Sequence, residues 1–236
     1  MSDSESGTEE YSDFDYTSEE YDSEEDYNDG FEFSEKKEEP KRERSPSPDL
    51  PSRSLTDAEK AFIGNSSPFA ISRIMKDRKQ IAKNPSYNEI FEIDFLGDNI
   101  HIWNLLMRFP KEEKIQKDLD EYSKFSDGKH PNAIKMEITF PSDFPMAPPF
   151  MRVVSPKFKY RTARVTVGGS ICTELLTSSG WAPTYSVGQA LIQIQSEIME
   201  GKPELEPYNK YMPAEYSMKE AMDAFMRKAR QMGWEK

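Results

Sequence analysis

The residue best equipped for chemistry in this chain is Cys172, the single cysteine, set in the run Gly168-Gly169-Ser170-Ile171-Cys172-Thr173-Glu174-Leu175-Leu176. A thiol attacks as its thiolate, so the groups that could activate it must be sought next. The chain holds two histidines, His101 and His130, and neither stands in a context that announces a catalytic triad. A cysteine hydrolase needs an imidazole beside the sulfur. A thioester carrier needs less, because positioning supplies most of the acceleration, and a strong adjacent base would turn water on the thioester. The histidine-poor setting fits a carrier better. By residue type alone, a lone cysteine is more often a small buried core residue, and spacing does not overturn that. The paired glycines let the backbone bend closely and leave space for an extended partner chain. Thr166, Ser170 and Thr173 are expected to keep the neighbourhood hydrated.

The elements that must position this segment follow from hydrophobic periodicity. Residues 68–82 place apolar side chains at 71, 74, 75, 81 and 82, with Arg73, Lys76, Arg78 and Lys79 on the other faces. This is helical spacing, stopped by Asn84-Pro85. Residues 91–96 alternate as a strand, 97–99 turn, and 100–109 return as a second strand. Residues 133–140 predict a third strand and, after a proline-rich turn, 150–154 a fourth. Residues 111–130 carry alternating charge, which predicts an exposed helix and reads as a tolerated surface insertion. Helices are predicted over 186–200 and 214–232. Strands gathered in the middle with helices at the ends indicate α+β.

Charge divides the chain. Residues 1–50 carry 19 Asp or Glu against 5 Lys or Arg, a formal −14, so with −12 overall the remainder totals about +2. Such a segment cannot bury enough apolar area to offset the entropy of ordering. Residues 1–53 are therefore expected to be a disordered acidic tail, and 54–236 one folded domain. The aromatics dispersed in the acid, such as Tyr11, Phe14 and Tyr16, suit either an interaction tail or a merely solvated segment. One cysteine excludes an intramolecular disulfide, and with two histidines it excludes a four-ligand Cys/His zinc site. No apolar run of membrane-spanning length occurs. The expectation is a cytoplasmic or nuclear protein whose partners include neither membrane nor nucleic acid.

Further motifs then acquire meaning together. Ile138-Thr139-Phe140-Pro141, Asp143-Phe144-Pro145, Pro148-Pro149, Gly169-Ser170-Ile171-Cys172 with Leu175-Leu176, and Trp181-Ala182-Pro183 stand in an order that resembles the ubiquitin-conjugating enzyme core. The resemblance covers about residues 68–236. Gly180-Trp181, the paired leucines and the ending Met232-Gly233-Trp234 are most similar to the Q-type subfamily. It implies a core with a four-stranded antiparallel meander between N-terminal and C-terminal helices. It also implies a ubiquitin-like modifier held as a thioester on Cys172, received from an activating enzyme and passed to a substrate or a ligase. Arg73, Lys76 and Lys79 would lie on the helix where the family docks activating enzyme and ligases, with Met146 and Pro183 in two loops of the ligase surface. No metal or organic cofactor is implied, since the activating enzyme consumes the ATP.

The sequence also departs from the family. Most members carry a His-Pro-Asn tripeptide whose asparagine lies eight residues before the cysteine, where this chain has Thr162-Ala163-Arg164. The Q-type enzymes likewise lack it. The His-Pro-Asn at 130–132 is too far upstream and reads as part of a turn. Backbone N–H groups, Ser170, Thr166 or Arg164 could each support the oxyanion of transfer. Glu204 and Glu206 fall in the loop where the family often keeps a group that orients an incoming lysine; a solvated charged loop is the plainer reading. Three other readings remain open from the residues: a catalytically inactive ubiquitin-binding adaptor on the same fold, a cysteine hydrolase using His101 or His130, and a chain whose acidic tail is the working part.

Overall fold

Alternation along the strands sets the core. In the computed structural model, which describes residues 54–211 and 215–233, β1 (Phe91–Leu96), β2 (Asn99–Met107), β3 (Ile134–Thr139) and β4 (Phe150–Ser155) pair antiparallel in the order β1-β2-β3-β4. The register sets Ile93 opposite Leu105, Leu105 opposite Met136, and Met136 opposite Val153. With a side-chain period of two, one face thus carries Phe91, Ile93, Trp103, Leu105, Met107, Ile134, Met136, Ile138, Met151 and Val153, all buried in one cluster. Each such side chain contributes about 1.5–3 kcal/mol. This is the α+β meander expected from the sequence.

Two helices cover that face. In α2 (Pro68–Lys83), Ser67 caps the first turn and Pro68 opens it. Its buried line runs Ala70, Ile74, Asp77, Ile81, not through 71 and 75 as the apolar pattern suggested; Ile71 and Met75 are exposed, beside exposed Phe69. Asp77 holds its inward position because Arg73 pairs with it at 3.2 Å and the Val187 N–H donates to it at 3.4 Å. The second covering helix, α5 (Val187–Glu200), buries Leu191, Ile194 and Ile198 behind a capping box of Ser186 and Gln189. Asn84-Pro85 ends α2 as expected, and also starts α3 (Pro85–Ile90), because the Asn84 side chain accepts from the Ser86 N–H.

The opposite sheet face is partly covered by α1 (Asp57–Ile63), whose Ile63 meets Leu96 and Ile102, and by α6 (Met218–Met232), whose Met218 and Ala221 meet Phe150. Between them lies a buried polar strip. Arg152 pairs with Glu137 at 3.0 Å and donates to the Tyr216 carbonyl at 3.0 Å, tying the sheet to the entrance of α6. Sequence reasoning began α6 at 214; it begins after the Ser217 cap, and residues 212–214 lie outside the described residues, as does the acidic segment 1–53. No helix among the described residues is long and apolar enough to cross a membrane.

The charged insertion also departs from expectation. The charged insertion forms α4 (Lys114–Phe125), but it is half buried: Ile115 and Leu119 join the main core, and Gln116 accepts from the Phe109 N–H at 2.8 Å while donating to the Asn132 carbonyl at 2.9 Å. Charge alternation masked a 3.6-residue apolar stripe. Asn132 itself donates to Asp120, at 3.0 Å, so the upstream His-Pro-Asn serves this turn. Leu119→Ala is expected to cost about 2–5 kcal/mol in urea unfolding, against less than about 0.5 kcal/mol for the exposed Glu121→Ala on the same helix; equal effects would refute the packed role of α4.

Candidate active site

Cys172 sits at the end of a narrow ladder beside β4. The Val153 N–H donates to Gly169 O (2.8 Å), the Thr166 N–H to Ser170 O (2.9 Å) and the Cys172 N–H to Arg164 O (2.8 Å). Alternation then does the positioning: Ile171 and Thr173 are buried while Cys172 between them stays partly open. The thiol borders an open pocket of about 630 Å³, which is also lined by Arg164 and Thr166 and by Lys228 of α6.

The glycines serve a purpose different from the one expected. A Cβ on Gly168 would lie 2.1 Å from the Glu220 carbonyl oxygen of α6, and one on Gly169, at φ +94°, 2.6 Å from the Tyr216 ring. The space they free is filled by the chain's own C-terminal helix and not by a partner. Hydration fails as well: Ser170 is 0% exposed and Thr173 buried. The Ser170 and Thr166 hydroxyls bond each other at 2.7 Å, and Thr173 donates to Glu197 at 3.1 Å.

Where the tripeptide is missing, the backbone is strained. Arg161, Ala163 and Arg164 have φ of +63°, +59° and +53°, a conformation costing on the order of 1–3 kcal/mol for each such residue. The loop after α5 braces it. Ala163 N–H donates to Gly201 O, Lys159 N–H to Glu204 O and Glu206 N–H to Lys157 O, each at 2.8 Å. Glu204 and Glu206 therefore contribute through their backbone. The Glu204 carboxylate is held by Lys159 at 2.9 Å, which keeps it below the usual carboxylate range, and neither glutamate lines the thiol pocket.

Burial is the largest influence on the thiol and pushes its pKa up; Lys228 and Arg164 pull it down, and Glu197 of α5 pushes it up. Neither histidine lines the pocket. His101 lies beside Ser66, and His130 stacks edge-on against Tyr122 and Tyr208. Burial lowers the pKa of both. A triad-type hydrolase has no imidazole here.

Comparison with known proteins gives the family of this fold. The family described as ubiquitin-conjugating enzyme matches residues 73–232, from within α2 to the end of α6. The chain belongs to the ubiquitin-conjugating enzyme family. Similar relatives are Q-type: human ubiquitin-conjugating enzyme E2 Q1, 32% identical over 56% of this chain and 31% of that protein; mouse ubiquitin-conjugating enzyme E2 Q-like protein 1, 31% identical over 54% and 73%; and the Drosophila melanogaster E2 Q-like protein CG4502, 30% identical over 55% and 40%. The chain thus spans well under half the length of two of these relatives.

On this ubiquitin-conjugating fold the residues expected at the docking surface divide. Lys76 and Lys79 are exposed on α2, Met146 is 65% exposed and Pro183 is exposed. Arg73 is not a free docking charge. Beside its pairing with Asp77, its guanidinium donates to the carbonyls of Pro183 (2.8 Å) and Tyr185 (2.6 Å), fastening α2 to the loop before α5. Trp181 likewise donates to Pro145 O at 2.7 Å, joining the Met146 loop to the Pro183 loop. Sequence reasoning missed Glu197, Arg227 and Lys228, because only packing brings α5 and α6 to the thiol.

The sole cysteine makes its ionisation directly readable. Alkylation of Cys172 by iodoacetamide is expected to rise with pH about a midpoint above the ~8.5 of a free thiol. Lys228→Ala should move that midpoint further up and Glu197→Gln down; a midpoint at or below that of free cysteine would refute the burial effect.

Proposed function

We propose that this chain is an active ubiquitin-conjugating enzyme with Cys172 as its thioester residue. The observation that carries the reading is the half-buried thiol at the mouth of an open pocket inside the family-matching region, with no imidazole beside it. In loading, the Cys172 thiolate attacks the carbonyl carbon of the modifier's thioester on the activating enzyme, whose thiolate leaves. In discharge, an acceptor's lone pair attacks the same carbon. The oxygen gains negative charge, the carbon–sulfur bond then breaks, and Cys172 leaves as thiolate while the acceptor's proton passes to water. A raised thiol pKa and the absence of a neighbouring base both suit storage of the thioester against hydrolysis.

Arg164 is the donor best placed to support the oxyanion. It lines the pocket, is 53% exposed, and its partner carboxylate, Glu200, is 4.0 Å away. Thr166 lines the pocket as well, and its hydroxyl shares a hydrogen bond with that of Ser170 in which either oxygen can be the donor. Ser170, fully buried, supports the site through Thr166. The modifier is ubiquitin or a ubiquitin-like protein. Activating enzyme and ligases engage α2 with the Met146 and Pro183 loops.

Incubation with activating enzyme, ATP and labelled ubiquitin is expected to yield an adduct removed by thiol reductant and missing in Cys172→Ala. No reducible adduct, or one that persists in Cys172→Ala, would overturn the proposal; ubiquitin bound without an adduct would point to a binding module. Arg164→Ala should still load, with discharge to a free nucleophile slowed on the order of 10²–10³-fold.

A further inference from the structure

The pocket beside the thiol has a charge pattern that the loading reaction does not use. Arg161 and Arg164 enter it from the strained loop, and Arg227 and Lys228 from α6, while no Asp or Glu is among its lining residues. The folded part of the chain has a net charge of only about +2, so four cations around one opening are a local concentration. Two unrelated elements converge to make it, and both are held rigidly. The loop is braced by residues 201–206, and α6 is seated against Gly168, where a Cβ would clash at 2.1 Å. Among the described residues one of these cations makes an ion pair, Arg164, and its carboxylate partner lies outside the pocket lining. Arg161 lies over the exposed Tyr160 ring at 5.1 Å, Arg164 is 4.0 Å from Glu200, and Lys228 meets the Gln231 amide oxygen at 3.4 Å. The rim adds two exposed apolar side chains, Tyr160 and Val167, against which a peptide backbone can lie.

We propose that this pocket selects the acceptor, and that the acceptor nucleophile is carried on an acidic peptide segment. The inference rests on the thioester reading above and names its substrate class. Arginine forks pair carboxylates bidentately, and converging cations raise the local concentration of an acidic segment at the thioester. The nucleophile bonds to the thioester carbonyl carbon, the carbon–sulfur bond then breaks, Cys172 departs as thiolate and the nucleophile's proton goes to water.

The test uses the full chain. Loading with labelled ubiquitin is read first, before any peptide is present, so a failure there counts against the thioester reading separately. The loaded pool is then discharged under single-turnover conditions onto peptides that share one nucleophile and differ in flanks: Asp/Glu, Ser/Gly or Lys/Arg. The acidic peptide is expected to be favoured about tenfold over the basic one at low salt, the sum of several partly exposed charge pairs, with the ratio shrinking toward one as salt screens them. In the double variant Arg161→Glu/Arg227→Glu the ratio should fall to one or invert. Because the ratio is taken within one loaded pool, any change in loading divides out. Equal rates for the three peptides, or a preference untouched by charge reversal, would overturn the proposal. Fluorescence anisotropy of the labelled acidic peptide on the unloaded chain provides a readout independent of thioester formation: binding lost in the double variant supports the pocket, and no binding opposes it. Binding that emerges only after the acids of residues 1–50 are changed to Asn and Gln would assign the pocket to the chain's own tail, and would also overturn the proposal.

Discussion

The seating of the C-terminal helix on Gly168 and Gly169 is the contact on which the rest of the site depends. Tyr216, at the entrance to α6, is its hub. Its ring lies against Gly169, its N–H donates to Val154 O at 2.8 Å, and its hydroxyl accepts from the Phe158 N–H at 2.8 Å. Its carbonyl receives Arg152. Burial pushes the phenol up to about 12, so it remains neutral and hydrogen-bonded across the working range of pH. One residue thus links the last described strand, the thiol segment and the helix that brings Lys228 to the sulfur.

A second constraint is conformational. Three left-handed residues within four positions are unfavourable for side chains bearing a Cβ, and such a loop persists only where its surroundings over-determine it. Here the surroundings are the backbone of residues 201–206. The loop aims Arg161 and Arg164 at the pocket that the thiol shares. A family that usually places an asparagine amide near this point has, in this chain, a guanidinium on a braced loop. The replacement exchanges a neutral side chain for a charged one, and so changes the charge beside the thiol.

The surface formed by α2 and the two loops beside it follows a similar logic. Arg73 and Trp181 each spend polar groups on backbone carbonyls, and so hold α2, the Met146 loop and the Pro183 loop as one surface. The apolar side chains Phe69, Ile71 and Met75 remain outside because the inward line of α2 is Ala70, Ile74, Asp77 and Ile81. A buried Asp in that line is tolerable only because Arg73 and the start of α5 partner it.

The sequence by itself determined the strands, their order, the two long helices of the core and the candidate thiol, because period-two and period-3.6 patterns and a lone cysteine in an ordered set of motifs are local properties. It misjudged α4, whose charges hid an apolar stripe. It also misread the space beside the glycines and the hydration of Ser170, and it did not show that the Arg73 guanidinium is bonded to backbone carbonyls or that residues 204 and 206 brace a loop through their backbone. Those errors share a cause. A glycine looks the same in a string whether a partner or the chain's own helix fills the space beside it, and an arginine looks the same whether its guanidinium faces solvent or a carbonyl 112 residues away. Only the tertiary structure decided that α5 and α6 deliver Glu197, Arg227 and Lys228 to Cys172, since that convergence is made by packing between segments far apart in the chain.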